Sequence, residues 1–211
     1  MSRIYARKSG KIGWIYVYHN KLPNPVSIKT LESLTYAFEK LSEVDAIILT
    51  GVGKSFLSGA NIADMLNFNY SEAWRFSACN ERLSDTIKQC RALTIAAVNG
   101  YCFGGANDIA LACDLRVAKA DAVFGHTGAK IGILTGWGGT YLLGKSIGTK
   151  KAYELFFSAK PINAQKALEL GLVNKVFDSE HFYGELKQFV QRCLSRVKEG
   201  RGILNKIRLI S

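Results

Sequence analysis

The sequence predicts an α/β protein, and three observations predict it. Short apolar runs carry the β-branched, aromatic and small residues of strands: IGWIYVY at 12–18, AIILT at 46–50 and TIAAVNG at 94–100. Segments with apolar residues at helical spacing separate them, as with Leu31, Leu34, Phe38 and Leu41. Glycine-rich turns join the two kinds, GVGKSFLSGANIADM at 51–65 and CFGGANDIALACD at 102–114. Strands that alternate with helices build an α/β fold.

Taken in order, the first strand is 12–18. HNKLPNPVS follows as a loop, because Pro23 and Pro25 block a helix. Ser27 is placed to cap a helix running to about Leu41. AIILT is uniformly apolar and reads as a fully buried strand. Ser71 is placed to cap a long helix ending near Cys90, and TIAAVNG is a second buried strand. CFGGANDIALACD then forms a helix and DLRVAKA, 114–120, a strand. After the glycine-rich FGHTGAKIGILTGWGG come helices at about 140–157 and 164–171, and a last one from about residue 180.

Composition narrows the class. A chain of 211 residues suits one domain and can bury a full core. With 48% hydrophobic and 21% charged residues it reads as globular. No apolar run approaches the roughly 20 residues of a membrane span. MSRIYARKSGKIGW lacks the apolar centre of a secretory signal, so a cytoplasmic location is expected. The five cysteines, Cys79, Cys90, Cys102, Cys113 and Cys193, show no C-x-x-C spacing, which points to reduced thiols and no metal. The net charge of +11 favours an anionic partner. Much of the excess falls between Arg192 and Arg208, as a solvated helix or as a patch for phosphate or RNA. These basic residues are scattered and lack interleaved aromatics, so nucleic acid is not the expected partner.

The candidate site is the Gly104-Gly105 pair with Asp108 behind it. The first N–H groups of a helix have no partner within it, and the dipole makes that end positive. Glycine leaves those donors bare. Two N–H groups aimed at one oxygen form an oxyanion hole. KSFLSGANIADM, 54–65, has the same character and can supply the second donor, so the pair is the N–H of Ala60 and of Gly105. Asp108 lies three residues past Gly105, about one helical turn, and so on its side of the helix. There it can act as a general acid or base. An acid in a helix's first turn also stabilises the dipole, and spacing alone leaves both roles open.

From about Ile12 to Val176 the chain resembles the enoyl-CoA hydratase/isomerase (crotonase) superfamily. KSFLSGANIADM is similar to that family's first oxyanion loop. AAVNGYCFGGANDIALACDLRVAKADAVFG is similar to its second loop with the following helix and strand, and GTYLLGKSIGTKKAYELFFSAKPINAQKALELGLVNKV to its later helices. The resemblance implies a spiral of ββα turns, with a crotonase-like core at 1–176 and a C-terminal helical segment at 177–211, short for the family. It implies a homotrimer or hexamer. It also implies an acyl-CoA or acyl carrier protein thioester as substrate, with coenzyme A entering only as part of it and no other cofactor required.

The thioester oxygen would sit between the Ala60 and Gly105 N–H groups. Lys54 falls where relatives place a basic residue near the cofactor. Ser58, Asn61, Ile62, Phe103, Gly104, Thr127, Gly128, Thr135 and Trp137 complete the expected binding set.

Departures from the pattern shape the expected chemistry. Family hydratases carry two glutamates. The first falls on Asp108, one methylene shorter, as in a subset of dienoyl-CoA isomerases, and the second on Gly128. FGHTGAKIG resembles dihydroxynaphthoyl-CoA synthases, which follow it with an aspartate where this chain has Thr135. His126 is read as a hydrogen-bonded loop histidine, with the role of a replacement base as its alternative, and Trp137 as a wall of the acyl pocket or a core residue. The expected function is hydratase/isomerase chemistry through a thioester enolate with a single carboxylate. Decarboxylation or C–C hydrolysis of malonyl or β-keto thioesters is the second reading, and a catalytically weak acyl-CoA- or RNA-binding protein the third.

Overall fold

The computed structural model describes residues 2–21 and 23–197. The chain opens with a hairpin, β1 (Arg3–Ser9) and β2 (Ile12–Tyr18), and then forms α1 (Ile28–Lys40). Three ββα-like turns follow. The first is β3 (Ala46–Gly51), β4 (Ser55–Leu57), the single-turn α2 (Ile62–Met65) and α3 (Tyr70–Gln89). The second is β5 (Leu93–Val98), β6 (Tyr101–Phe103) and α4 (Gly105–Ala112). The third is β7 (Leu115–Lys119) and β8 (Val123–Gly125), a 3₁₀ turn over Thr127–Ile131, then α5 (Gly139–Ile147) and α6 (Thr149–Ser158). The chain continues through β9 (Ile162–Asn163), α7 (Ala164–Glu169), β10 (Lys175–Phe177) and α8 (Phe182–Val197).

Each turn gives one strand to each of two sheets. The larger runs β1-β2-β3-β5-β7-β10 and is parallel except for the hairpin; the smaller runs β4-β6-β8-β9 and is parallel except at β9. The result is the expected α/β spiral. Asn99 holds successive turns in register: its side-chain oxygen accepts from Gly51 N–H at 3.0 Å and its amide donates to Gly53 O at 3.0 Å.

Side chains alternate across a strand, so the larger sheet feeds two cores. Ile15, Val17, Ile47, Leu49, Ala96 and Val98 face α1, α3 and α4. Trp14, Ala46, Ile48, Ile95 and Val117 face Phe182, Leu186 and Val190 of α8. β10 carries the chain across residues 176 and 177, and α8 packs on the sheet's outer face. All five cysteines are free thiols. Among the described residues no helix is long and apolar enough to cross a membrane.

Several boundaries differ from the sequence expectation. β1 was not anticipated, because all but one of its residues are exposed and no alternation marks it. The cap of the long helix lies two residues before Ser71. Asn69 caps it in a reciprocal capping box with Glu72, at 2.9 and 3.0 Å. The expected helix at 140–157 is two helices, broken at Gly148, whose φ of 84° ends α5. The segment 102–114 holds the short strand β6 before its helix, and the loop 51–65 holds β4 and α2. Most of the basic segment 192–208 lies outside the described residues.

Candidate active site

The loop that carries Ala60 is fixed by the segment ahead of α1. Val26 and Ala60 form an isolated parallel bridge. Val26 N–H donates to Gly59 O at 2.8 Å, and Asn61 N–H donates to Val26 O at 2.9 Å. In such a bridge the middle residue's own N–H points to the opposite side, so Ala60 N–H is turned away from Val26. Asn24 anchors the loop from below, with its amide donating to Ser55 O at 2.9 Å and Phe56 O at 3.2 Å. Gly59 sits at φ 88°, a conformation glycine adopts without strain.

The second loop comes from β6, which pairs with β4 on one side and β8 on the other. Gly104 N–H donates to Gly125 O at 2.8 Å, and the Asn107 amide donates to Cys102 O and Gly125 O, both at 3.1 Å. Gly105 is the first residue of α4, where an N–H has no helical partner. The two loops touch: a Cβ built on Gly59 would lie 2.6 Å from Phe103 O and 3.5 Å from Gly105 N.

Asp108 lies on α4 and is fully buried. Burial raises its pKa from the usual carboxylate value to about 7, against the lowering effect of the Trp137 and Gly139 N–H groups. Its Oδ2 accepts the Thr135 hydroxyl. Its Oδ1 has no hydrogen-bond partner among the described residues. The start of α5 is pressed against it, since a Cβ on Gly139 would lie 1.9 Å from Oδ1.

These parts surround a cavity of about 360 Å³. Of the residues singled out in the sequence, Ser58, Ala60, Ile62, Gly104, Gly105, Thr127, Gly128, Thr135 and Trp137 line it, and so does His126. Asp108 touches it only at second hand, through Thr135. Lys54, Asn61 and Phe103 do not line it. Lys54 is exposed in the turn before β4, Asn61 caps α2 beside a separate recess, and Phe103 stacks on Tyr101 with ring centres 5.7 Å apart. Phe76, Ile133, Leu134 and Phe156 complete the apolar wall without having been anticipated. Phe76 and Phe156 carried a sequence signal, as apolar positions within expected helices, and Ile133 and Leu134 carried none.

One position in the turn after β8 behaves differently from expectation. His126 is not a hydrogen-bonded loop histidine. It is 5% exposed, lies 4.5 Å from the Phe156 ring centre to centre, and neither ring nitrogen has a partner among the described residues. Burial lowers its pKa to about 4, so the ring is neutral at pH 7. Gly128 has no room for a side chain, because a Cβ there would meet Ile133 O at 2.4 Å. Trp137 packs edge-on against Phe76, ring centres 4.9 Å apart, and covers Gly105 closely enough that a Cβ there would lie 2.3 Å from its ring. It is both a cavity wall and a packing residue.

Comparison with known proteins agrees with this architecture. The sequence model of the enoyl-CoA hydratase/isomerase family matches residues 7–206. A short-chain-enoyl-CoA hydratase of Clostridium acetobutylicum is 34% identical over 199 residues, covering 92% of this chain and 76% of the relative. A crotonyl-CoA hydratase of Syntrophomonas wolfei is 36% identical over 197 residues, with the same coverage of both chains. The crystal structure of an enoyl-CoA hydratase from Thermoplasma volcanium superposes with a TM-score of 0.89 at 29% identity, covering 97% of this chain and 81% of that one. The chain belongs to the enoyl-CoA hydratase/isomerase family.

Proposed function

We propose that this protein is an acyl-CoA-processing enzyme of the hydratase/isomerase type. It holds a thioester carbonyl between the N–H groups of Ala60 and Gly105, stabilises the enolate that forms there, and moves protons with Asp108 as its single carboxylate. The observation that carries this reading is the meeting of the two donor loops and the buried Asp108–Thr135 pair at one largely apolar cavity. The hydratase names of the most similar relatives support the same substrate class.

A carboxyl with a pKa about 7 is suited to both halves of the reaction at neutral pH, since it can accept a proton and give it back. Among the described residues no carboxylate lines the cavity, so in this reading water addition proceeds with Asp108 as the one acid/base. The reading needs no cofactor beyond the coenzyme A, or carrier-protein pantetheine, of the substrate. It includes a homotrimer or hexamer as the working form, which sedimentation at equilibrium tests as three or six times the protomer mass.

The function is tested by turnover of crotonyl-CoA, a 3-enoyl-CoA, malonyl-CoA and a β-ketoacyl-CoA by wild type and Asp108→Asn. We expect activity on an enoyl-CoA and a fall in kcat of about 10²–10⁴-fold in the variant. Turnover of malonyl-CoA alone that survives the substitution would replace this reading with oxyanion-hole decarboxylation.

A further inference from the structure

We infer that Asp108 works on the substrate through Thr135, whose hydroxyl carries the proton between the cavity and the carboxylate. The inference rests on the hydratase/isomerase reading and adds a residue to it. It begins from a mismatch of position. The carboxylate is fully buried and is not part of the cavity wall, whereas Thr135 is partly exposed and lines the cavity. Oδ1 is closed off by the start of α5, where Gly139 leaves no space even for a methyl group. Oδ2 is occupied by the Thr135 hydroxyl. The path from the carboxylate to the cavity that the contacts trace therefore runs through Oγ1.

The chemistry of a hydroxyl suits the position. It has one proton to donate and two lone pairs with which to accept. While its proton points at Oδ2, its lone pairs remain open to a group in the cavity. In water addition, the water oxygen bonds to C3 of the enoyl thioester. The proton leaving that water bonds to Oγ1 as the Thr135 proton passes to Oδ2. The electron pair of the C2–C3 double bond moves into the thioester enolate. Returned along the same path, the proton bonds to C2, and the carboxylate and hydroxyl are restored. In double-bond isomerisation, the proton lost from C2 follows the same route and returns to C4. Neither case needs an outside acid, base or oxidant. A carboxyl that protonates near neutrality is matched to such an exchange.

The test compares Thr135→Val, which keeps the shape and removes the hydroxyl, with Thr135→Ser, which keeps the hydroxyl. For the enoyl-CoA that wild type turns over, we expect kcat to fall about 10²–10⁴-fold in the valine variant and to remain within about tenfold in the serine variant. The Kd for butyryl-CoA should move far less in both variants than kcat does in the valine variant. The wild-type rate in mixtures of H₂O and D₂O should curve with deuterium fraction, because two protons move together. A straight line, or a valine variant as fast as wild type, would mean that Asp108 meets the substrate directly and would overturn the relay alone. Wild type that binds acyl-CoA but turns over no member of the panel would overturn the parent reading and the relay with it. A serine variant as slow as the valine one would reduce Thr135 to a packing residue.

Discussion

Asp108 and His126 make opposite demands on the folded protein. A carboxyl buried with a pKa about 7 holds its proton in the folded state between about pH 4 and 7, where the unfolded chain has lost it. Its contribution is fully present below about pH 4 and disappears as pH rises to 7, on the order of 4 kcal/mol across the window. A histidine buried with a pKa about 4 does the reverse: the unfolded chain takes up the proton first, so stability is lost as pH falls from about 6.5 to 4. In wild type the two nearly cancel between about pH 4 and 6.5. Substitution uncovers each in turn. His126→Phe, which keeps a ring against Phe156, should be more stable at pH 5 than at pH 7. Asp108→Asn should be less stable at pH 5 than at pH 7. Urea unfolding at the two pH values reads both signs, and profiles parallel to wild type would show that neither group titrates where its burial dictates. Only part of this was legible in the sequence. Gly105 and Asp108 are three residues apart, so one helical turn relates them. Thr135 reaches Asp108 across 27 positions, and His126 meets Phe156 across two elements. No local pattern encodes either contact.

At the scale of the element, α4 and α5 meet through a carboxylate on one and a bare Cα on the other. Gly139→Ala is a substitution that helix propensity alone would favour. Here the added methyl group would lie 1.9 Å from Oδ1. The variant should therefore fold with α5 displaced or Asp108 turned, lowering both Tm and kcat. An alanine variant with wild-type turnover would mean that the start of α5 does not hold the carboxylate. Helices were readable from their 3.6-residue periodicity, and the buried strands from short unbroken apolar runs. The errors fall where a local signal was ambiguous. Asn69 and Ser71 are both good caps, and the reciprocal bond to Glu72 chooses the first. Gly148 can sit inside a helix or end one, and only its φ of 84° decides. The three-residue strands β4, β6 and β8 exist because successive turns stack, and a segment that short carries no period of its own.

Across the whole molecule, the central strands β2, β3 and β5 of the larger sheet are buried on both faces, one against the helices beside the cavity and the other against α8. The second face is a test of architecture rather than chemistry. Leu186 is fully buried there, so Leu186→Ala should cost about 2–5 kcal/mol in urea unfolding while leaving kcat of the folded enzyme within about a few-fold. A large loss of kcat at full folding would couple the far face to the cavity. The α/β class was legible because alternation of strands and helices is a property of the whole chain. The spiral of ββα turns followed from the family resemblance, and the sorting of its strands into two sheets came only from the structure.

The bridge of Val26 to Ala60 and the bond of Gly104 to Gly125 have a consequence for the chain as it is made. A ribosome releases the N-terminus first, and folding can begin before synthesis ends. The parts of the cavity then emerge in chain order: the Val26 anchor and the loop of Ala60, then Gly105 with Asp108 behind it, and last Thr135. The helix α8 leaves the tunnel after all of them. A nascent chain of this protein outlines its cavity while one face of its main sheet is still uncovered.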